Sequence, residues 1–440
     1  MLRKLGMVLI AVFVAVSLPA IAQAQDRDFE KNILKNGMTV LTQECGGDLS
    51  AACLFIRVGS ADEALDKSGV TNLLNAVILS CHPVGNTSPP ALKIEQLGGR
   101  LESETRNDYT CFKLVVPTRN LAAALKILGS ALTVSGCPDA ALGVERASLL
   151  AREDWISDRI EDRAYRLFLQ KTYEGFTYGL DPEGDPKSIG KLERKDVQEW
   201  GQAYYTPDNM LLSVAGKVSP ASVSKMAAEA FKQEGPVKES KPSPAAGALS
   251  GPVSKSESIG GTSPAGQAAV VIGYTAPAVG SPDYPAMKLV ESVLAGGMGS
   301  RMFKELRDAR DVAYMFGSFM PPTRDTSRIA FYAVSSDDRL DAAVQGIKKS
   351  VEAVKTGNIS DDEVVRAKGL AAGDLSLAQE TALGRAWSAG FYELMGLGAD
   401  YGVKVSKQIE KLDKSDMVKA ARKYLGDYTL VTLKPDKGLL

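Results

Sequence analysis

Residues 53–80 read Cys53-Leu54-Phe55-Ile56-Arg57-Val58-Gly59-Ser60-Ala61-Asp62-Glu63-Ala64-Leu65-Asp66-Lys67-Ser68-Gly69-Val70-Thr71-Asn72-Leu73-Leu74-Asn75-Ala76-Val77-Ile78-Leu79-Ser80. Cys53 to Val58 alternates well enough for a strand. Val70, Leu73, Leu74, Val77 and Ile78 then recur at helical spacing, with Ser68 as a candidate N-cap. The unit is a strand followed by a helix. Upstream, Asn36-Gly37 joins two strand segments within Ile33 to Leu41. Downstream, Tyr109 to Val116 predicts a strand, Leu121 to Thr133 an amphipathic helix, Cys137 to Arg166 a long charged helical region, and Met210 to Ala215 a strand closing at Gly216.

From Gly235 to Gly266 the composition turns to Pro, Ser, Gly, Ala and Lys without apolar periodicity, which reads as a linker. The strand and helix grammar then returns. Ala268 to Tyr274 is a strand, Tyr284 to Leu294 a helix, Ala313 to Phe319 and Arg328 to Val334 strands, and Leu340 to Thr356 a helix, followed by a helix-rich tail. The domain expectation is therefore 25–234, a linker at 235–266, and 267–440, two α+β halves that suggest duplication of one fold unit.

The chain has 440 residues and 45% apolar residues, with 52 basic and 53 acidic side chains giving a net charge of −1. That balance disfavours nucleic acid and anionic membrane surfaces as partners. His82 is the one histidine, which excludes a self-contained site built from two or three imidazole ligands. Arg3-Lys4, an apolar stretch from Met7 to Leu18 and Ala22-Gln23-Ala24 match a secretory signal over 1–24. A periplasmic location is the expectation, with no membrane span after cleavage. Cys45, Cys53, Cys81, Cys111 and Cys137 all fall in the first third. Cys53 and Cys111 suit either a cross-strand bridge or buried free thiols.

Several segments, in order, resemble the insulinase/pitrilysin family of zinc peptidases, in particular members of the mitochondrial processing peptidase type. They are Leu34-Lys35-Asn36-Gly37-Met38-Thr39-Val40, Arg57-Val58-Gly59-Ser60-Ala61-Asp62-Glu63, Gly98-Gly99-Arg100-Leu101-Glu102-Ser103-Glu104-Thr105, Tyr205-Thr206-Pro207-Asp208-Asn209-Met210 and Leu294-Ala295-Gly296-Gly297-Met298-Gly299-Ser300-Arg301-Met302-Phe303. The resemblance implies two homologous α/β-sandwich-like halves of insulinase type, a LuxS/processing-peptidase-like fold, joined by a linker. In that family a helix carries His-x-x-Glu-His, two imidazoles holding zinc and a Glu activating water. Here Asn72 stands for the first His, Asn75 for the Glu and Ala76 for the second His. The third ligand falls at Glu153, or at Arg152 in an alignment through Glu145-Arg146. Neutral amides bind zinc poorly, Ala76 offers no ligand, and no general base remains.

The resemblance also implies that Arg307 and Tyr314, seven positions apart, fill the place of a pair that hydrogen-bonds the substrate carbonyl as it becomes an oxyanion. The same residues equally suit Arg307 pairing with Asp311 on a helix and Tyr314 opening a half-buried strand. The resulting expectation is a zinc-less, non-catalytic subunit of a heterodimeric periplasmic zinc peptidase. A partner with an intact His-x-x-Glu-His would supply zinc, and peptide or unfolded protein would be the substrate. The rivals are a scaffolding or peptide-binding pseudopeptidase without a catalytic partner, and a hydrolase rebuilt at Cys81-His82, which lacks a third group to orient the His.

Overall fold

The computed structural model describes residues 28–80, 88–132, 139–157, 159–232, 256–263, 266–308 and 311–436. The first half runs β1 (Glu30–Ile33), β2 (Thr39–Glu44), β3 (Leu49–Ile56), α1 (Val70–Ser80), α2 (Pro90–Gln96), β4 (Arg100–Thr105), β5 (Thr110–Pro117), α3 (Leu121–Ala131), α4 (Asp139–Ser157), α5 (Ile160–Thr172), α6 (Pro186–Ile189), α7 (Arg194–Tyr204), β6 (Met210–Gly216) and α8 (Pro220–Ala230). The second runs β7 (Glu257–Ser263), β8 (Ala268–Ala276), α9 (Tyr284–Ala295), β9 (Ala313–Phe319), β10 (Ser327–Ser335), α10 (Leu340–Lys355), α11 (Asp361–Leu377), α12 (Ala382–Leu394), α13 (Tyr401–Lys411), α14 (Lys414–Tyr424) and β11 (Thr429–Pro435).

The first sheet has the order β1-β2-β6-β3-β5-β4 and the second β7-β11-β8-β10-β9. Without β1 the two orders superpose strand for strand. In each sheet the same single pair is parallel, β2 with β6 and β7 with β11. The duplication expected from the pattern is therefore present in the topology.

Two expectations are adjusted. Strand β7 occupies Glu257–Ser263, inside the span 235–266 read as linker, while residues 233–255 lie outside the described residues. Its Gly260 and Gly261 and its largely exposed edge position explain why no apolar alternation marked it. The charged region from Cys137 to Arg166 is two helices, because Arg159 is extended and Glu161 and Asp162 start a new first turn.

The central strands are buried along almost their whole length, and mostly apolar, because both faces are covered. In β3, Ala52, Leu54 and Ile56 join the core with Leu73, Val77 and Leu125, whereas Cys53 and Phe55 join the core that holds Phe391. That second cover is α12, from the other half. The exchange is reciprocal. Helix α5 packs Ile160, Ala164 and Phe168 on Ala269 and Val271 of β8. The contacts are close enough to require glycine: a Cβ on Gly273 of β8 would sit 2.1 Å from the Phe168 ring, and one on Gly390 of α12 would sit 2.4 Å from the Phe55 ring.

Residues 1–24, Cys81, His82 and Cys137 lie outside the described residues. Cys53 and Cys111 are buried free thiols, and Cys45 is buried as well. Across β3 and β5, Cys53 faces Lys113 and Cys111 faces Phe55, so the two sulfurs are diagonal neighbours. Among the described residues no helix is long and apolar enough to cross a membrane.

Candidate functional site

Helix α1 buries Val70, Leu73, Leu74, Val77 and Ile78. Its N-terminus is capped by a group the sequence reading missed. Glu63 Oε2 accepts from the Gly69 N–H at 2.7 Å and Oε1 from the Thr71 N–H at 2.9 Å. Ser68, the expected cap, instead accepts at its hydroxyl from the Asp185 N–H at 3.2 Å. Glu63 is 2% exposed. Burial pushes its carboxyl up to about 7, against the two backbone donors that hold it down. The signal was present as the last residue of the Val58-to-Glu63 segment.

Gly69 adopts φ +93°, and a Cβ there would meet Ile189 at 2.6 Å. One on Gly184 would fall 2.5 Å from the Gly69 Cα. This approach presses the loop before α6 against the head of α1. Glu183 thereby meets Asn72, whose amide Nδ2 donates to the Glu183 carbonyl and carboxylate, both at 3.2 Å. Arg152 of α4 approaches the same carboxylate at 3.7 Å. Arg152 thus reaches the motif, while Glu153 belongs to α4 with its side chain outside the described residues.

Asn75, at the general-base position, is 1% exposed. Its Nδ2 donates to the Thr105 hydroxyl at 3.0 Å, and its Oδ1 accepts from the Tyr205 hydroxyl at 2.7 Å. The amide ties α1 to edge strand β4 and to the segment that leads into β6. Ala76, one residue on, supplies no donor atom. The donor set does not fit a zinc ion: Asn72 gives its amide hydrogens to Glu183, Asn75 is spent on the fold, and Ala76 has nothing to give.

The seam between the halves closes on β4 and β5. Glu104 accepts from the Trp387 indole N–H of α12 at 3.0 Å and lies 2.8 Å from Lys113 Nζ and 3.3 Å from Arg106. Burial pushes its carboxyl up, but Lys113, Arg106 and Trp387 outweigh that and hold it below the ordinary value. Asp108, also buried, accepts from the Tyr178 hydroxyl and from the Arg324 N–H at 3.0 Å. Trp387 stacks on Phe391 at 5.0 Å, and Phe391 meets Tyr109 edge-on at 5.7 Å.

Arg307 lies in a π-helical turn, Phe303–Asp308, and Tyr314 on β9, the edge strand of the second sheet. The Asp311 N–H donates to the Arg307 carbonyl at 3.0 Å, but the two side chains do not pair. The Asp311 carboxylate lies 3.4 Å from Arg339, and its backbone is left-handed at φ +49°. Among the described residues the Arg307 guanidinium meets only the Phe303 ring, at 5.9 Å. Tyr314 is 62% exposed.

A family model described as insulinase (peptidase family M16) matches residues 39–181, and one described as the peptidase M16 inactive domain matches residues 191–370. An uncharacterized zinc protease of Mycobacterium bovis is 26% identical over 415 residues, covering 92% of each chain. One of Rickettsia felis is 24% identical over 359 residues, covering 80% of this chain and 84% of its own. A protease structure from Helicobacter pylori superposes with TM-score 0.87 at 22% identity, over 93% of this chain and 99% of that one. A peptidase M16 inactive domain from Pseudomonas fluorescens gives 0.82 at 18% identity, over 93% and 98%. With both halves matched in order and the motif helix in place but altered at Asn72, Asn75 and Ala76, the chain belongs to the insulinase family of peptidases, M16.

Proposed function

We propose that this chain is the non-catalytic subunit of a two-part periplasmic zinc peptidase. A partner with an intact His-x-x-Glu-His supplies zinc and general base. This chain supplies Arg307, Tyr314 and half of a peptide-binding chamber. The observation that carries the reading is the contrast within the chain: the motif amides are consumed by the fold, whereas Arg307 and Tyr314 remain exposed and uncommitted. A guanidinium and a phenol are hydrogen-bond donors that need no metal of their own, and they suit a carbonyl that becomes an oxyanion at the partner's zinc. The substrate is an extended peptide or unfolded segment, added as a strand to an exposed sheet edge such as β4.

The test mixes the mature chain with a family member carrying the complete motif and measures peptide turnover and zinc content of each. Activity confined to the mixture is expected. Arg307→Ala should lower turnover by about 10- to 100-fold with assembly intact, and unchanged turnover overturns the role. A stable complex that cleaves nothing moves the reading to a scaffold.

A further inference from the structure

Among the described residues the Arg307 side chain meets only the ring of Phe303, which belongs to the same π-helical turn. The place of its guanidinium is therefore set by how that turn is held. π-Helical hydrogen bonding is rare and occurs mostly as single turns, so the neighbours of the turn select it. One hold is α10. Leu306 is fully buried and packs where α10 has Gly346, a position at which a Cβ would meet the Leu306 side chain at 2.5 Å.

The other hold is α11, which grips the segment leading into the turn at two points. Arg366 Nη1 donates to the Gly296 carbonyl at 2.7 Å and Nη2 to the Ser292 carbonyl at 3.1 Å, closing the end of α9. Glu363, one turn earlier on α11, takes Arg301 in a two-point fork, Nε to Oε1 at 2.8 Å and Nη2 to Oε2 at 2.7 Å. Arg301 Nη2 also donates to the Asn358 carbonyl. The two side chains are 16% and 13% exposed. Burial pushes the Glu363 carboxyl up, but Arg301 and Ser360 outweigh that and hold it at about 2, so the fork stays charged. A charged two-point fork fixes orientation as well as distance. Glu363 does not need Arg301 to hold α11, because its carboxylate also accepts from the Ser360 N–H at 2.9 Å in a capping box.

We infer that Arg301 is a positioning residue: through its fork with Glu363 it fixes the π-helical turn against α11 and so sets the Arg307 guanidinium where a developing oxyanion meets it. The inference rests on the role proposed above for Arg307. Arg301 itself reaches no substrate, since its guanidinium is engaged by Glu363 and Asn358. It acts through the backbone, by way of Met302, which is 1% exposed and anchored in the core, and Phe303, which opens the turn.

The experiment measures peptide turnover of the two-chain mixture for Arg301→Met, Glu363→Gln, Arg307→Ala and the double variant of both arginines. Hydrogen exchange across Phe303–Asp308 is followed on each variant alone. Arg301→Met should lower kcat about 10-fold with KM within about twofold, because a displaced donor is missed in the transition state rather than the ground state. The double variant should be no slower than Arg307→Ala, since residues that act as a unit do not add. Exchange in the turn should quicken in Arg301→Met while that of α10 stays unchanged. Glu363→Gln keeps the capping box and weakens the fork, so it should show a smaller loss of the same kind, and it carries the test if Arg301→Met does not fold. Losses that multiply in the double variant, unaltered exchange in the turn, or a normal kcat in the Arg301 and Glu363 variants beside a slow Arg307→Ala would each overturn the positioning role alone. Normal turnover in Arg307→Ala overturns the reading beneath it, and the positioning role with it.

Discussion

In the middle of α1, Asn75 is 1% exposed with both polar atoms of its amide engaged, whereas Tyr314 on β9 is 62% exposed and, among the described residues, the Arg307 guanidinium meets only an aromatic ring. The resemblance puts these residues at the motif positions of the two halves, and the fold treats them in opposite senses. In the first half, side chains at the zinc and base positions became parts of the fold: a tie to β4 and Tyr205, and a bridge to Glu183. In the second half the pair lies on the surface, where among the described residues its side chains make no hydrogen bond or ion pair. A position absorbed by the fold must hurt stability when altered; one kept for use must not. That difference can be broken by measurement.

The largest effect is expected at Asn75. Asn75→Ala strands the Tyr205 and Thr105 hydroxyls in a buried place and removes side-chain volume, which costs about 2–4 kcal/mol. Urea unfolding at constant m-value reads it. A loss below about 0.5 kcal/mol would show that the amide is as idle as the surface pair, and the contrast would collapse.

Next comes Glu63, which sharpens the comparison by showing how the motif helix is held. Its carboxyl is raised from 4.5 to about 7 in the native state, so the folded chain binds that proton more tightly than the unfolded one. Its contribution is therefore fully present below about pH 4.5 and lost as the pH rises through about 7. Glu63→Gln, neutral at all pH, forfeits one backbone donation throughout but should flatten the profile. The fall in unfolding free energy between about pH 5 and about pH 8 should shrink by about 2 kcal/mol relative to the unaltered chain. Parallel profiles for the two proteins would assign the pH dependence elsewhere.

The strand and helix grammar was legible because β3, β8, α1 and α9 have long apolar runs, and the duplication followed from their recurrence. What stayed hidden was which surface each run covers. Periodicity says that Phe168 of α5 and Phe391 of α12 face something apolar, but it is silent on the exchange of these helices between halves, which rests on Gly273 and Gly390 admitting a ring. Strand β7 was hidden for the converse reason: an exposed edge strand needs no apolar alternation. At the site, the motif positions were readable, but their new partners were not. Glu183 is 111 positions from Asn72, and Tyr205 is 130 from Asn75.

The smallest effect on stability is expected at the second-half pair, and it carries the functional half of the argument. Arg307→Ala and Tyr314→Phe remove groups with no hydrogen bond or ion pair among the described residues. Each should leave unfolding free energy within about 0.5 kcal/mol of the unaltered chain. Against that flat background, a loss of peptide turnover in the two-chain mixture isolates chemistry from folding. If instead Arg307→Ala lowers stability by more than about 1 kcal/mol, its guanidinium serves the π-helical turn that carries it, and the pair is structural like Asn75.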